Sequence, residues 1–478
     1  METGQALAAP EPALRLRGIR KLYPGVVAVD GVDLDLNAGE IHALVGENGA
    51  GKSTLSNIAF GEVRADAGSI AASGNVGLVH QHFELVGRLR VWQNILLGRE
   101  PRKGWRIDVD AARTRVSALA ARNALEIDPD AFVDELPIGI QQRVELLREL
   151  EREPAVLLLD EPTAALAPVE IDAFFATIAQ LAQRGTAILI VTHKLQEVIA
   201  YARSVSVMRR GKIVATFETA NTTVDEVARA MVGGDLPEIA ARASTTVEPC
   251  FSARGLSAGA GSAAIANLSL RVDAGEIVGV AGVEGNGQTT LADAIAGMIP
   301  YSGTIVKPER MGVVPQDRQK EALVMGWTIV DNAIFGRERR APVRRGALID
   351  RRAAREAAGT IVERFDVRAA SLDVAVKTLS GGNQQKLVVG RALYDEPGFI
   401  LAYQPTRGID VGATALVRSR LMEARNRGAA ILLVSFELDE ILALADRLIV
   451  MYRGTIAGEF SRAQADRARI GRLMVGSQ

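Results

Sequence analysis

Along this chain, short apolar runs rich in branched side chains alternate with longer stretches in which apolar residues recur at helical spacing. EIHALVG (40–46), AVLLLD (155–160) and AILIVTH (187–193) are of the first kind, continuous enough for strands buried on both faces. Such strands, separated by helix-length segments, predict an α/β fold with a mainly parallel sheet whose chemistry collects at the strand ends. Neither AVLLL (155–159) nor AAILLV (429–434) approaches the roughly 20 apolar residues that cross a bilayer.

The pattern occurs twice. LNAGEIHALVGENGAGKST (36–54) returns as VDAGEIVGVAGVEGNGQTT (272–290), with Gly39 matched to Gly275 at a shift of 236. LPIGIQQRV (136–144) returns as LSGGNQQKL (379–387), and AMVGG (230–234) as LMVGS (473–477), both at a shift of 243. Gln81 and Gln316 differ by 235, so the eight additional residues of the second copy are expected as one local insertion between these glutamines and the QQ segments. The repeat implies a first domain over 13–234, a linker over 235–249 and a second domain over 250–478.

Composition narrows the class. With 56 basic against 57 acidic residues and a net charge of -1, nothing argues for a nucleic-acid partner. The lone Cys250 rules out a disulfide framework and fits a reducing compartment, and the N-terminal segment lacks the apolar core of a secretory signal.

Gly46-Glu47-Asn48-Gly49-Ala50-Gly51-Lys52-Ser53 fits the G-x-x-x-x-G-K-S/T phosphate loop, follows a predicted strand and opens a helix near Thr54. Small glycines let backbone N–H groups close around phosphate oxygens, Lys52 reaches the β/γ-phosphates and Ser53 reaches Mg2+. VLLLDE (156–161) then ends an apolar strand in two acids: Asp160 on the magnesium side, and Glu161 as the base that activates the attacking water. ILIVTH delivers His193 to the end of another strand. His80 and His82, either side of Gln81, read as local packing, because two histidines without further ligands do not make a metal site.

Together these motifs resemble the ATP-binding-cassette family over nearly the whole chain. The resemblance implies two P-loop domains in tandem, each with a RecA-like core, an antiparallel β part and a helical subdomain, binding ATP and Mg2+. By it, Gln81 is the Gln-loop residue that senses the γ-phosphate and joins Ser53 and Asp160 at the metal, and Tyr23 stacks on adenine. His193 is the switch histidine, and Leu379-Ser380-Gly381-Gly382-Asn383 is an LSGGQ-type signature.

Transferring positions by the repeat shifts exposes what the second copy has lost. Lys52 lands on Gln288, Asp160 and Glu161 on Tyr403 and Gln404, His193 on Phe436, and Tyr23 on Gly259. Gly282, Gly285, Gly287 and Thr289 remain. The signatures are degenerate in the opposite order, since the first copy reads Leu136-Pro137-Ile138-Gly139-Ile140. In this family each ATP lies between one domain's P-loop and the other's signature, so the expectation is one complete composite site and one degenerate site. Segments 84–135 and 319–378 are expected to form the helical subdomains that receive the permeases.

The tandem layout with a degenerate second half is similar to the ATPases of simple-sugar and nucleoside importers, and YPGVVAVDGVDL (23–34), VHQHFELV (79–86) and QPTRGIDV (404–411) look most like the nucleoside branch. That implies two integral-membrane permease subunits, an extracytoplasmic substrate-binding protein, and residence at the cytoplasmic face of a bacterial inner membrane. The competing reading, a soluble tandem cassette acting on ribosomes, calls for a long charged helical linker and two complete sites, and the sequence shows neither.

Overall fold

The computed structural model describes residues 11–80, 83–163, 166, 168–235, 240–243, 248–474 and 476. The chain divides into two compact units, Met1–Asp235 and Leu236–Gln478.

In the first unit a six-stranded sheet runs in the order Lys212–Glu218, Ser204–Arg209, Ile41–Gly46, Ala187–Thr192, Val156–Asp160, Val76–Val79. All neighbours are parallel except the edge hairpin of Ser204–Arg209 with Lys212–Glu218. Val156–Asp160 and Ala187–Thr192 are buried at every position, as their uninterrupted apolar runs require of strands covered on both faces. On one side, Leu55, Ile58 and Leu44 form a core with the three-stranded antiparallel sheet Val26–Leu36, Leu14–Tyr23, Ala67–Ala72; on the other, Phe175 and Ile178 of the helix Pro168–Gln183 cover Leu157 and Leu159. The second unit repeats both sheets, its large one in the order Met311–Val314, Phe399–Tyr403, Ala430–Val434, Ile277–Ala281, Arg447–Tyr452, Thr455–Ser461.

The segment 84–135 folds into the helices Val91–Ile95 and Val109–Arg122 around a separate core that includes Trp92, Val116 and Leu147. A two-stranded hairpin, Arg102–Lys103 with Arg106–Ile107, sits between these helices, and Arg344–Arg345 with Leu348–Ile349 is its counterpart in the second unit. Nothing in the apolar periodicity announces either hairpin. The extra residues of the second copy are also not one insertion. The shift is 235 at Val79/Val314, 238 at Asn94/Asn332, 242 at the helix caps Asp108/Asp350 and 243 at Val133/Val376. Three residues enter before the first helix, four before the second and one after it. The loops absorb the length while Asn94 and Asn332, both buried, keep the same bonds to loop carbonyls, Asn94 to Val86, Leu89 and Arg90, and Asn332 to Val324, Trp327 and Thr328.

The segment 240–243 belongs to the second unit. Arg242 donates to Asp446 at 2.6 Å and to the carbonyls of Ala443 and Leu444, and Arg425 donates to Ala243 O. Asp446 also accepts from buried Arg425 and from the backbone N–H of Ile277, at the start of the second phosphate-loop strand. Removing this carboxylate strands a buried guanidinium, so Asp446→Ala is expected to lower unfolding free energy by about 3 kcal/mol. Asp373→Ala, which breaks a solvent-exposed pair with Arg355, leaves the urea midpoint near wild type. Urea denaturation of both variants checks the contrast.

Candidate functional site

Three adjacent parallel strands of the first unit end side by side, in the order phosphate loop, His193, acids. Val45 pairs with Thr192 and Asp160 with Val191, so Gly46, His193 and Asp160 emerge at one edge of the sheet. Strands lie about 4.8 Å apart, so these groups fall within reach of one triphosphate.

The phosphate loop closes as the glycines demand. Gly49 and Gly51 take φ of 80° and 104°, a left-handed region that side chains disfavour, and a Cβ on Gly51 would stand 2.1 Å from Ala28 O. The helix Lys52–Phe60 begins directly at Lys52, with Gly51 as its cap and no side chain on its first N–H groups, which remain for an anion. Ser53 and Thr54 lie in its first turn. Lys52 is buried and its Nζ donates to Gly46 O at 2.9 Å and Glu47 O at 3.1 Å, inside the loop it is expected to serve. Burial pulls its pKa down, opposed by Glu161, Asp160 and Glu47.

At the acid strand, burial pushes the Asp160 carboxyl above the usual range, against a hydrogen bond from Ser53. Hard oxygens from Ser53 and Asp160, side by side at the mouth of a phosphate cradle, fit Mg2+, which takes one or two protein oxygens plus phosphate. Gln81, the third residue assigned to the metal, lies outside the described residues, as does His82; His80 stands edge-on to Phe60 at 6.4 Å. Among the described residues there is no cluster of three or more acidic, His or Cys ligands.

Glu161 takes φ of 48°, a costly turn for a side chain with a Cβ, fixed by its N–H to Val191 O at 2.8 Å. The turn brings its Oε1 to 2.9 Å from His193 Nδ1. Burial works to raise the Glu161 pKa, but the His193 bond and the charges of Lys52 and Lys194 outweigh it and hold the carboxylate below its ordinary range, ionised as a base must be. Lys194, whose Nζ donates to Thr163 O, is not singled out by the sequence; following His193 in an ordinary helix start, it carries no motif signal. Tyr23 ends its strand with an exposed ring, Lys21 Nζ 5.6 Å from the centroid, a surface open to a stacking base.

The second unit keeps the frame and exchanges the chemistry. Gly285 and Gly287 take φ of 92° and 98°, and Gln404 takes 51° with its N–H on Val434 O, the same turn as Glu161. Gln288 Nε2 donates to Val283 O at 3.1 Å where Lys52 bonds Glu47 O. The Ser53–Asp160 pair becomes a Thr289 Oγ1 to Tyr403 Oη bond of 2.7 Å, and Phe436 lies edge-on to Tyr403 at 6.2 Å. Burial pushes the Tyr403 phenol up to about 12, so it is neutral. The absence of an acid at position 403 is legible in sequence; that its replacement fills the place beside Thr289 is not.

The signatures differ in kind. Ser380 caps the helix Gly381–Leu393, its Oγ accepting from Asn383 N and from Asn383 Nδ2 at 2.9 Å, so its own O–H remains to donate. A Cβ on Gly382 would stand only 3.0 Å from Asp410 Oδ2. In the first unit Pro137 is the cap residue of the helix Ile138–Leu150 and offers no side-chain bond. Glu170 presses against Gly139 there, its Oε1 2.7 Å from where a Cβ would stand. No spacing rule links residues 139 and 170.

The family described as ABC transporter matches residues 29–164 and 265–407. The chain belongs to the ABC transporter family. It is 38% identical to the nucleoside import ATP-binding protein NupA of Lactococcus lactis subsp. cremoris, over 98% of this chain and 99% of the relative. It is 37% identical to the guanosine import ATP-binding protein NupO of Bacillus subtilis, over 98% of each, and 37% identical to a ribose import ATP-binding protein of Streptomyces avermitilis, over 97% of this chain and 94% of the relative. An archaeal ribosome recycling factor, solved with a ribosomal stalk protein, is similar over 93% of this chain and 90% of its own at a TM-score of 0.67; at 17% identity it shares the fold alone. This ABC chain is an ATPase, and no helix among its described residues is long and apolar enough to cross a membrane.

In this ABC ATPase the His193 bond favours the charged form of Glu161, so removing it raises that pKa toward the value burial alone would set. His193→Ala is expected to shift the acidic limb of the ATPase kcat/KM profile toward higher pH, on top of a lower plateau. A pH–rate series on the residual activity measures the shift, and an unmoved limb would show that the bond does not set the ionisation of Glu161.

Proposed function

We propose that this chain energises an importer of nucleosides or simple sugars through one catalytic composite site and one degenerate site. The working site pairs the first unit's P-loop, Asp160, Glu161 and His193 with Ser380, Gly381, Gly382 and Asn383 of the second. The degenerate one pairs Gln288, Tyr403 and Gln404 with Pro137 and Gly139. One observation carries this reading: the bonded Glu161–His193 pair exists in the first unit only, while the capped signature with a spare Ser380 hydroxyl exists in the second only. Losses accumulating independently would leave complete and incomplete halves mismatched about as often as matched.

Ser53, Asp160 and Gln81 would hold Mg2+, which when bound neutralises phosphate charge. Within the chain, Lys52 binds β/γ-phosphate oxygens, Glu161 draws the proton from an attacking water, and His193 orients Glu161 and keeps it ionised. Closure on ATP and reopening after hydrolysis would be transmitted to two permease subunits that receive solute from an extracytoplasmic binding protein, placing the chain at the cytoplasmic face of the membrane. The names of its relatives, spanning nucleoside, guanosine and ribose import, support the solute class. A ribosomal role has only a shared fold behind it.

Steady-state hydrolysis in the assembled transporter tests the asymmetry. Lys52→Ala and Glu161→Gln are expected to lower kcat by about 10²–10⁴-fold, and Gln288→Ala by less than about threefold. Comparable losses at positions 52 and 288 would sink the one-site reading. The solute class is tested separately, by co-purifying the binding protein and identifying its ligand by mass spectrometry; an amino acid, peptide or metal there overturns it.

A further inference from the structure

The first unit surrounds its phosphate cradle with charge: Lys52, Asp160 and Glu161, beside the oxygens that fit a divalent ion. At the same places the second unit carries Gln288, Tyr403 and Gln404, three neutral side chains: Gln288 donates to Val283 O, Tyr403 pairs with Thr289, and Gln404 Nε2 is buried without a partner among the described residues. The exchange is nearly balanced electrostatically, because a lysine and a divalent ion set against two carboxylates leave a surplus of only a single positive charge. A polyphosphate entering the second loop therefore meets neutral donors rather than a repulsive site.

The cradle itself is intact. At Gly285, φ is 92° and a Cβ would meet nothing within 4 Å, as at Gly49, so this residue is a glycine for its backbone conformation and the space beside it stays open. The helix Gln288–Ala296 starts at left-handed Gly287 with no side chain on its first N–H groups. Gln288 is 1% exposed, and its Oε1 has no hydrogen-bond partner among the described residues. That buried acceptor calls for a ligand that donates as well as accepts, as a terminal phosphate carrying its proton does.

Divalent metal does not fit here. The Thr289 hydroxyl that would face it is bonded to the Tyr403 phenol at 2.7 Å, and the phenol is buried and flanked by Phe436. Mg2+ selects anionic and water oxygens in near-octahedral array, and a neutral phenol wedged on a threonine offers neither charge nor room. The base platform has gone too: Gly259 stands in place of Tyr23, and a Cβ there would already meet Thr290 Cγ2 at 2.8 Å.

We infer that the second P-loop is a metal-free phosphate site, holding a polyphosphate chain through backbone N–H groups, Gln288 and Thr289, without a divalent ion and without selecting the base. The inference rests on reading Gly282–Thr289 as a phosphate cradle and is independent of how the two units pair in hydrolysis.

Equilibrium dialysis of the full chain against ATP, GTP and inorganic tripolyphosphate, each in Mg2+ and in excess EDTA, decides it. In EDTA a single equivalent of ATP is expected to stay bound to wild type and to Gly49→Val, to be lost in Gly285→Val, and to be displaced equally by GTP and tripolyphosphate. Tyr403→Asp, which sets a carboxylate beside the cradle, is expected to weaken metal-free ATP roughly tenfold and to regain it with Mg2+. This second variant keeps the test decisive if Gly285→Val does not fold. Release of all nucleotide by EDTA overturns the inference, as does an EDTA-stable equivalent that follows Gly49 rather than Gly285, or a Tyr403→Asp chain indifferent to Mg2+. ATP retained against tripolyphosphate overturns the base-blind recognition. No hydrolysis occurs in EDTA, so these outcomes stand apart from the ATPase comparison of Lys52 and Gln288.

Discussion

Parallel register at three neighbouring strand ends is the constraint on which each unit depends. In the first unit the pairings Val45 with Thr192 and Val191 with Asp160 bring the phosphate loop, the switch position and the acids to one edge. In the second, Val280 with Val434 and Val434 with Tyr403 do the same. A slip of one residue would turn each buried side chain to the opposite face, so the apolar runs that fill the core also fix where the polar ends emerge. Site geometry is thus a by-product of core packing, and it survives when the chemistry does not.

That separation explains how one chain carries two fates of the same frame. The left-handed turn after the acid strand persists at Gln404, and buried glutamines still tie the signature helix to the following loop, Gln142 to Pro162 O and Gln385 to Pro405 O. Thr163 and Thr406 likewise keep their bonds to Glu197 and Glu440. What differs is confined to side chains at the mouth: a carboxylate–imidazole pair on one side, a hydroxyl–phenol pair under an aromatic edge on the other. Neutral substitutes leave the second mouth without an uncompensated buried charge, which a lysine facing Tyr403 would have been.

The signatures follow the same logic at a helix start. Ser380 answers an unpaired N–H and keeps its own proton, whereas Pro137 begins its helix without any side-chain acceptor. Glu170 then lies against Gly139, so a carboxylate of the first unit's own chain covers the start of that helix. The two signature helices have the same length and comparable burial, and differ at their caps, Ser380 with a side-chain bond and Pro137 without one.

Much of this was legible in the order of residues. The repeat, the α/β class, the phosphate loop, Asp160, Glu161 and His193, and the loss of their counterparts at 288, 403, 404 and 436 all follow from local strings, because a phosphate loop, an acid after a strand and a helix cap are built from neighbours in sequence. The distribution of the eight extra residues over three loops was not legible, since apolar periodicity is blind to where a loop lengthens. Nor were the two hairpins, the anchoring of residues 240–243 by Arg425 and Asp446, the carboxylate of Glu170 over Gly139, or the Tyr403 phenol on Thr289. Each of these joins groups distant in the chain, and only the closing of the sheet and its covering helices sets the distance between them.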